Sequence, residues 1–291
     1  MTAEPDQTDS GRGTPPYEGG VTASPTAAGY DFNAYPRFAV TVDIVLLTIV
    51  ETELRICLIR RGPDTYPVEF RHRWALPGGF VRVDEDLRAA ALRELAEETR
   101  INLNQPGHLE MFGAYGDPER DSRGRIVSIA YWAITPDLPT PKGGTDASHA
   151  EFVPVTELEG GRLRLAFDHD RIADDAIATA RTSLKHTTIA TRFCPPEFTI
   201  RDLREVYNAI WGTELEAGNF QRMVNPKNPK AKRKGFLIPV EGQSVPPRDK
   251  VGRPAQLFTA GTAKYLRPPL LIPEETTERA AAKKPPAKAD S

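Results

Sequence analysis

Cysteine is scarce in this sequence: two thiols, Cys57 and Cys194, in a chain of 291 residues. Neither sits in a CxxC or Cys/His spacing, which excludes a disulfide framework and a structural zinc site and leaves two reduced, largely buried thiols. Long apolar runs are also missing. The longest, Phe38 to Val50, is interrupted by Thr41, Asp43 and Thr48, and falls well short of the ~20 residues a membrane helix requires. The chain opens on Gly, Pro, Ser, Thr and Ala with scattered acids, so no basic and apolar leader heads it and a cytoplasmic protein is expected. No internal repeat is present.

What the sequence does contain is 27 prolines, 27% charged side chains and an uneven distribution of that charge. Residues 37–160 hold 14 basic and 20 acidic side chains, whereas 161–273 hold 19 and 11. An acidic first half joined to a basic second half suits one region that handles cations and another that meets a polyanion. Charge alone is read equally well as solvated surface. Residues 1–33 and 273–291 lack apolar periodicity and read as disordered arms.

Between the arms, residues 34–160 have the pattern of an α+β domain. Two β-rich runs, Phe38 to Val50 and Leu54 to Arg60, flank the polar turn Glu51-Thr52-Glu53 and predict a hairpin. Further strands are expected near Leu109 to Tyr115, Ile126 to Ile134 and Glu151 to Val153. A helix is expected from Asp86 to Thr99, with Leu87, Ala91 and Leu95 on its inner side. Residues 161–272 read as a linker helix, from Asp168 to about Leu184, followed by a helix with Thr199 as N-cap and Gly212 as its stop. A shorter helix, Ala217 to Val224, and two strands, Gly235 to Pro239 and Ala255 to Phe258, complete the order of a winged helix-turn-helix. His169, in the first turn of the linker helix, is expected to pack or cap.

The sharpest pattern is Gly79, Glu85 and then Arg93-Glu94-Leu95-Ala96-Glu97-Glu98-Thr99-Arg100-Ile101. Glu94, Glu97 and Glu98 stand at i, i+3 and i+4, so one helix face carries three carboxylates. Such a face suits Mg²⁺, which takes a few carboxylates together with water and substrate phosphate oxygens. Arg93 is placed to hold a carboxylate by a bidentate pair, and Glu85 at the loop-to-helix junction is its candidate partner.

These residues resemble the Nudix box, Gly-x5-Glu-x7-Arg-Glu-aliphatic-x-Glu-Glu-x-Gly-aliphatic. The single departure is Arg100 in place of the last glycine, a position suited to a left-handed C-cap, so a strained or altered turn is expected there. The resemblance implies an α/β/α sandwich and Mg²⁺ or Mn²⁺ held by Glu94, Glu97 and Glu98, with the carbonyl of Gly78 as a further ligand. It implies that Glu94 assists the attacking water and that Glu85 and Arg93 form the orienting pair. It also implies hydrolysis of nucleoside diphosphates linked to another moiety. The segment Tyr115 to Arg125 and the strand after it resemble ADP-ribose-type Nudix domains. Arg60, Arg61 and Arg120 are candidate phosphate contacts, since guanidinium matches phosphate geometry, and Phe80 is a further candidate ligand contact.

In the basic half, the second helix of the helix-turn-helix offers Asn219, Gln221 and Arg222, side chains able to pair with base edges. Lys227, Lys230, Lys232, Arg233 and Lys234 follow as a basic run, and Arg248, Lys250 and Arg253 sit at the tip of the wing. With Thr199, these are the candidate DNA contacts, and they imply a steep salt dependence. Segments such as Ala166-Phe167-Asp168-His169-Asp170-Arg171-Ile172 and Glu205-Val206-Tyr207-Asn208-Ala209-Ile210-Trp211-Gly212 resemble the C-terminal domain of the Nudix-related transcriptional regulators of NAD metabolism. That resemblance, covering about residues 35–269, implies a homodimer that represses NAD biosynthesis or salvage genes from a palindromic operator and is released by ADP-ribose or a related metabolite. The competing reading is an ADP-ribose pyrophosphatase with an accessory basic domain, because every box carboxylate is present.

Overall fold

In the first long strand, apolar side chains alternate between two partners. β1 (Ala39–Val50) directs Val42, Ile44 and Leu46 into one apolar cluster and Val45 and Leu47 into another, the pattern of a central strand buried on both faces. The computed structural model describes residues 35–64, 68–103, 108–144, 147–228, 233–246 and 254–271, and from Phe38 onward these belong to a single compact unit. The two expected disordered arms lie outside the described residues.

β1 turns into β2 (Glu53–Arg61) through Glu51 and Thr52, both with positive φ, the two-residue turn whose twist matches that of a hairpin. Two short strands follow, β3 (Trp74–Ala75) and β4 (Gly78–Phe80), and then helix α1 (Leu87–Thr99). β5 (His108–Tyr115), β6 (Ile126–Ile134) and β7 (Ala147–Pro154) complete a seven-stranded sheet. Its order is β3-β2-β1-β6-β5, with β4 pairing β1 and β7 pairing β2. β1 and β6 are parallel and the other pairs antiparallel. A short helix, α2 (Val155–Glu159), closes this half.

Helix α3 (His169–His186) lies on the opposite side of the sheet from α1: Ala90, Ala91 and Leu95 pack with Ile44, while Ile172, Ala176 and Leu184 pack with Val45 and Leu47. The result is an α/β/α sandwich. A 3-10 turn at Ile189–Phe193 leads to α4 (Ile200–Trp211), α5 (Ala217–Val224) and the hairpin of β8 (Leu237–Val245) with β9 (Ala255–Ala260), which together form the winged helix domain. α3 and α4 are cross-tied: Arg181 Nε donates to the Ile210 carbonyl at 3.0 Å and Trp211 Nε1 to the Arg181 carbonyl at 3.1 Å. Trp132 of the sheet, Leu184 of α3, and Tyr207 and Phe220 of the winged helix share one apolar cluster.

Several elements exceed the sequence expectation. β7 begins four residues before Glu151, β8 runs on to Val245, and β3, β4 and α2 were not anticipated. β3 and β4 are too short to carry a period, and their extended backbone is fixed by pairing with β2 and β1.

Candidate functional site

α1 is capped by Asp86, whose side chain accepts from the Arg88 N–H at 2.7 Å. With Ala90, Ala91 and Leu95 turned into the core, the remaining face presents Arg93, Glu94, Glu97 and Glu98. Arg93 uses all five of its donors. Nε and Nη2 grip the two oxygens of Glu85 at 2.9 and 2.5 Å, Nη1 reaches Glu94 at 2.7 Å and Glu97 at 3.1 Å, and Nη2 also donates to the Phe80 carbonyl at 3.1 Å. The expected Glu85–Arg93 pair is thus formed. Arg93 holds the Glu85 carboxyl down at about 2, while burial raises that of Glu94 against the opposing pull of Arg93.

β4 lies directly against this face. The Gly78 N–H donates to Glu98 Oε2 at 2.8 Å. A Cβ on Gly78 would fall 2.2 Å from the Val42 carbonyl oxygen, and one on Gly79 would fall 2.5 Å from Glu94 Oε1. Only glycine lets this strand lie against both β1 and the carboxylates. At the far end of α1, Lys142 and Gly144 donate their N–H groups to the carbonyls of Thr99 and Glu98, satisfying the helix terminus. Arg100 adopts the left-handed cap itself, φ 61°, ψ 16°, with its N–H on the Ala96 carbonyl. The turn is kept at a steric cost of about 1 kcal/mol.

Among the described residues, no three carboxylate, imidazole or thiol groups stand ready-arranged as a metal cage. Arg93 lies between Glu85, Glu94 and Glu97, and Glu98 is turned to the Gly78 N–H. The donors are nevertheless hard oxygens on one helix face, the chemistry a Mg²⁺ or Mn²⁺ ion requires.

Arg60, Arg61, Phe80 and Arg120 do not form one set. Arg60 is exposed and donates to the His72 carbonyl at 3.0 Å. Arg61 stacks over Phe167 at 5.0 Å. Phe80 is 46% exposed beside the carboxylates, with the Arg123 guanidinium 5.1 Å from its ring. Arg120 departs from the expected phosphate contact: its side chain is buried and holds Asp168 at 2.6 and 3.0 Å and Asp43 at 3.4 Å. Asp43, buried in β1, also accepts from Ser128 Oγ and faces His169 Nε2 at 3.4 Å. His169 Nδ1 accepts from the Leu76 N–H at 2.9 Å. Since a backbone N–H only donates, Nδ1 carries the lone pair and Nε2 the proton. Burial lowers the His169 pKa, as expected for a packing histidine held neutral.

The sequence reading passed over Asp43, Asp121, Arg123 and Asp168. Asp43 had a visible signal, a charged residue inside an otherwise apolar strand. Asp168 had none, because its partner Arg120 lies 48 residues away, whereas Asp121 and Arg123 pair locally, two residues apart.

In the winged helix, Thr199 and Asp202 form a reciprocal capping box at the start of α4. The Thr199 hydroxyl is therefore engaged inside the protein instead of standing free for DNA. Glu216 caps α5 by accepting from the N–H groups of Gly218 and Asn219. Phe220 and Val224 turn inward, leaving Asn219, Gln221 and Arg222 exposed, with Arg222 donating to the Asn219 side chain. Lys227 and Lys234 are exposed. Arg233 is half-buried and donates to the carbonyls of Met223 at 2.6 Å and Pro269 at 2.8 Å. It clamps the end of α5, contrary to the expected phosphate contact, because its Nη1 and Nη2 are committed to carbonyls. Lys230, Lys232, Arg248, Lys250 and Arg253 lie outside the described residues. A cleft of about 690 Å³ between α4, α5 and the wing is lined by Thr199, Arg201, Arg204, Gln221, Lys227 and Gln256. Arg201 and Arg204, three apart on α4, extend the basic lining beyond the residues the sequence singled out.

Comparisons with known proteins follow the same division. Residues 37–176 match the NUDIX domain and residues 190–260 the NrtR DNA-binding winged helix domain. The ADPR responsive transcriptional repressor NtrR of Acinetobacter baylyi is 33% identical over 197 residues, 67% of this chain and 75% of that protein. The ADP-ribose pyrophosphatase of Methanocaldococcus jannaschii is 36% identical over 146 residues, 50% of this chain and 76% of that protein. The crystal structure of Shewanella oneidensis NrtR complexed with a 27mer DNA has a TM-score of 0.59 and 26% identity, covering 80% of this chain and 99% of that one.

Proposed function

We propose, for a chain that belongs to the NrtR family of Nudix and winged-helix transcriptional repressors, that it represses genes of NAD biosynthesis or salvage and is released by ADP-ribose or a related metabolite. The observation that carries this reading is the extent of its likenesses. The similarity to the repressor runs for 197 residues, more than the Nudix match of 37–176 accommodates, whereas the similarity to the pyrophosphatase runs for 146, about one Nudix domain.

On this reading the exposed Asn219, Gln221 and Arg222 of α5 meet base edges in the major groove, and the exposed Arg201, Lys227 and Lys234 meet backbone phosphates. A homodimer presents two such helices to half-sites about 34–36 Å apart, one helical turn. The Nudix domain takes the ligand beside the carboxylate face of α1 and the exposed ring of Phe80.

The second reading, hydrolysis, is favoured by one observation: Glu85, Arg93, Glu94, Glu97 and Glu98 are all in place. Glu94, Glu97 and Glu98, with the Gly78 carbonyl, would hold a divalent cation, which polarises a diphosphate and activates water. Arg93 then serves to fix Glu85 and to space the carboxylates. Retained hydrolysis would reset the sensor and is compatible with repression.

The test is capture of fragments of the host genome by the purified protein, sequenced with and without ADP-ribose. A palindrome near NAD-metabolism genes, lost when ADP-ribose is added, supports the repressor. No enrichment above non-specific binding would leave the pyrophosphatase as the better reading.

A further inference from the structure

Phe167 is the residue just before Asp168 and α3, and its backbone is left-handed, φ 55°. A bulky side chain keeps that conformation only where its surroundings hold it. Here the restraint is a set of ring contacts. Phe70 lies 4.4 Å away and His169 5.3 Å away, centroid to centroid, and the guanidinium groups of Arg61 and Arg123 stand 5.0 and 5.3 Å from the Phe167 centroid.

Arg123 is the unusual member. Its guanidinium also lies 5.1 Å from Phe80, the residue after Gly78-Gly79, whose carbonyl accepts from Arg93. One cation therefore touches a ring at the carboxylate cleft and a ring at the head of α3. The buried Asp121 aims it, accepting from Nε at 3.0 Å and Nη2 at 2.7 Å.

A phosphate oxygen entering beside Phe80 has a stronger claim on this guanidinium than an aromatic face has, because charge-assisted, bidentate pairing outweighs a cation–π contact. We propose that Arg123 is a phosphate-binding residue of the Nudix cleft, and that Phe167 is the positioning residue through which occupancy of the cleft reaches α3. This rests on the reading of the cleft as an ADP-ribose sensor and assigns its diphosphate a partner. With phosphate bound, the guanidinium leaves the Phe167 ring and the left-handed turn loses one of its restraints. α3 then settles differently against α4, to which Arg181 and Trp211 tie it. The differential contact that a ligand must make to shift an equilibrium is the exchange of the Arg123–Phe167 contact for an Arg123–phosphate pair.

The experiment uses the full chain and its operator DNA, with affinity measured by fluorescence anisotropy at fixed salt, without ADP-ribose and at saturation. The ratio of the two affinities is the coupling factor, expected at about 5–150-fold in the unaltered protein. Glycine adopts the left-handed backbone freely, so F167G removes the ring without disturbing the turn. In F167G the coupling factor should fall to within about twofold of unity, with ADP-ribose still binding by calorimetry and the operator still bound in its absence. F167Y should restore the coupling. R123A should weaken ADP-ribose binding by about tenfold or more, as loss of a charge-assisted pair requires.

Unaltered coupling in F167G overturns the role of Phe167, and so does loss of ADP-ribose binding in that variant, since the ring would then be a ligand contact. Unchanged ADP-ribose affinity in R123A overturns the phosphate assignment. If F167G melts well below the unaltered protein, F167L, which keeps apolar bulk without a π face, carries the same comparison. Absence of any ADP-ribose response in the unaltered protein strikes the sensor reading itself and takes the proposal with it, a failure seen before any substitution is made.

Discussion

Arg120 holds both oxygens of Asp168, 48 residues away, at 2.6 and 3.0 Å. Through this pair the loop ahead of β6 fixes the start of α3, the helix on which the winged domain packs. Arg120 also reaches Asp43 of β1 at 3.4 Å, so one buried guanidinium serves two carboxylates.

Removing that guanidinium leaves two acids short of a counter-ion in a poorly hydrated interior. R120A is expected to lower folding stability by about 3–5 kcal/mol. Chemical denaturation monitored by tryptophan fluorescence measures it, and a change below about 1 kcal/mol, typical of a surface pair, contradicts the structural role assigned here.

His169 gives the protein a pH dependence of definite sign. Its folded pKa is lowered from 6.5 by burial, and protonation of Nδ1 would break the hydrogen bond from Leu76. Below the unfolded pKa the unfolded chain takes up a proton that the folded chain refuses. Stability is therefore full above pH 6.5 and declines as pH falls below it, by up to about 1.4 kcal/mol per unit. In H169Q, whose amide can accept from Leu76 and donate to Asp43, this part of the decline should vanish. Thermal melts of both proteins between pH 5 and 8 decide it, and parallel curves count against the assignment.

How much of this was visible beforehand follows the range of the interactions. α1, α4 and α5 were legible because periodicity and caps are local: Asp86, Thr199 and Gly212 stop or start helices through neighbours a few residues away. The Glu85–Arg93 pair was legible because the two stand eight residues apart in the box pattern, with Glu85 at the loop-to-helix junction. The buried network was not, since Asp43 meets Ser128 across 85 positions and Arg120 across 77. Arg120 and Arg233 were misread for the same reason. A basic side chain in a polar segment looks solvent-facing until the fold supplies the carboxylates or carbonyls that claim it. Arg100 is a smaller case: the sequence warned of strain, and the chain accepts the left-handed turn because its N–H closes on Ala96.

The carboxylate face makes its own prediction. E97Q/E98Q keeps the volume and the acceptor for the Gly78 N–H while removing two charges. Mn²⁺ affinity, followed by electron paramagnetic resonance, should fall at least about tenfold, since hard cations are held mainly by charged oxygens. Any Mg²⁺-dependent turnover of ADP-ribose should disappear with it. Unchanged Mn²⁺ binding would place the metal elsewhere.

On the other half of the molecule, R222A removes an exposed guanidinium from the outer face of α5. Operator binding should weaken by about 1–3 kcal/mol, the worth of a bidentate base contact, and discrimination at one base pair should relax. ADP-ribose binding, measured by calorimetry, should stay unchanged. Equal loss of both would contradict the division of labour between the two domains.

On the proposed function, a single chain converts ADP-ribose occupancy of its Nudix domain into release of DNA by its winged helix. The most direct measurement is a titration of ADP-ribose into the complex of the full chain with its captured operator, at constant salt and with Mg²⁺ present. The apparent Kd for DNA should rise with ADP-ribose and reach a plateau, as linkage between two sites requires. An operator affinity that stays flat while calorimetry shows the cleft filled would contradict it.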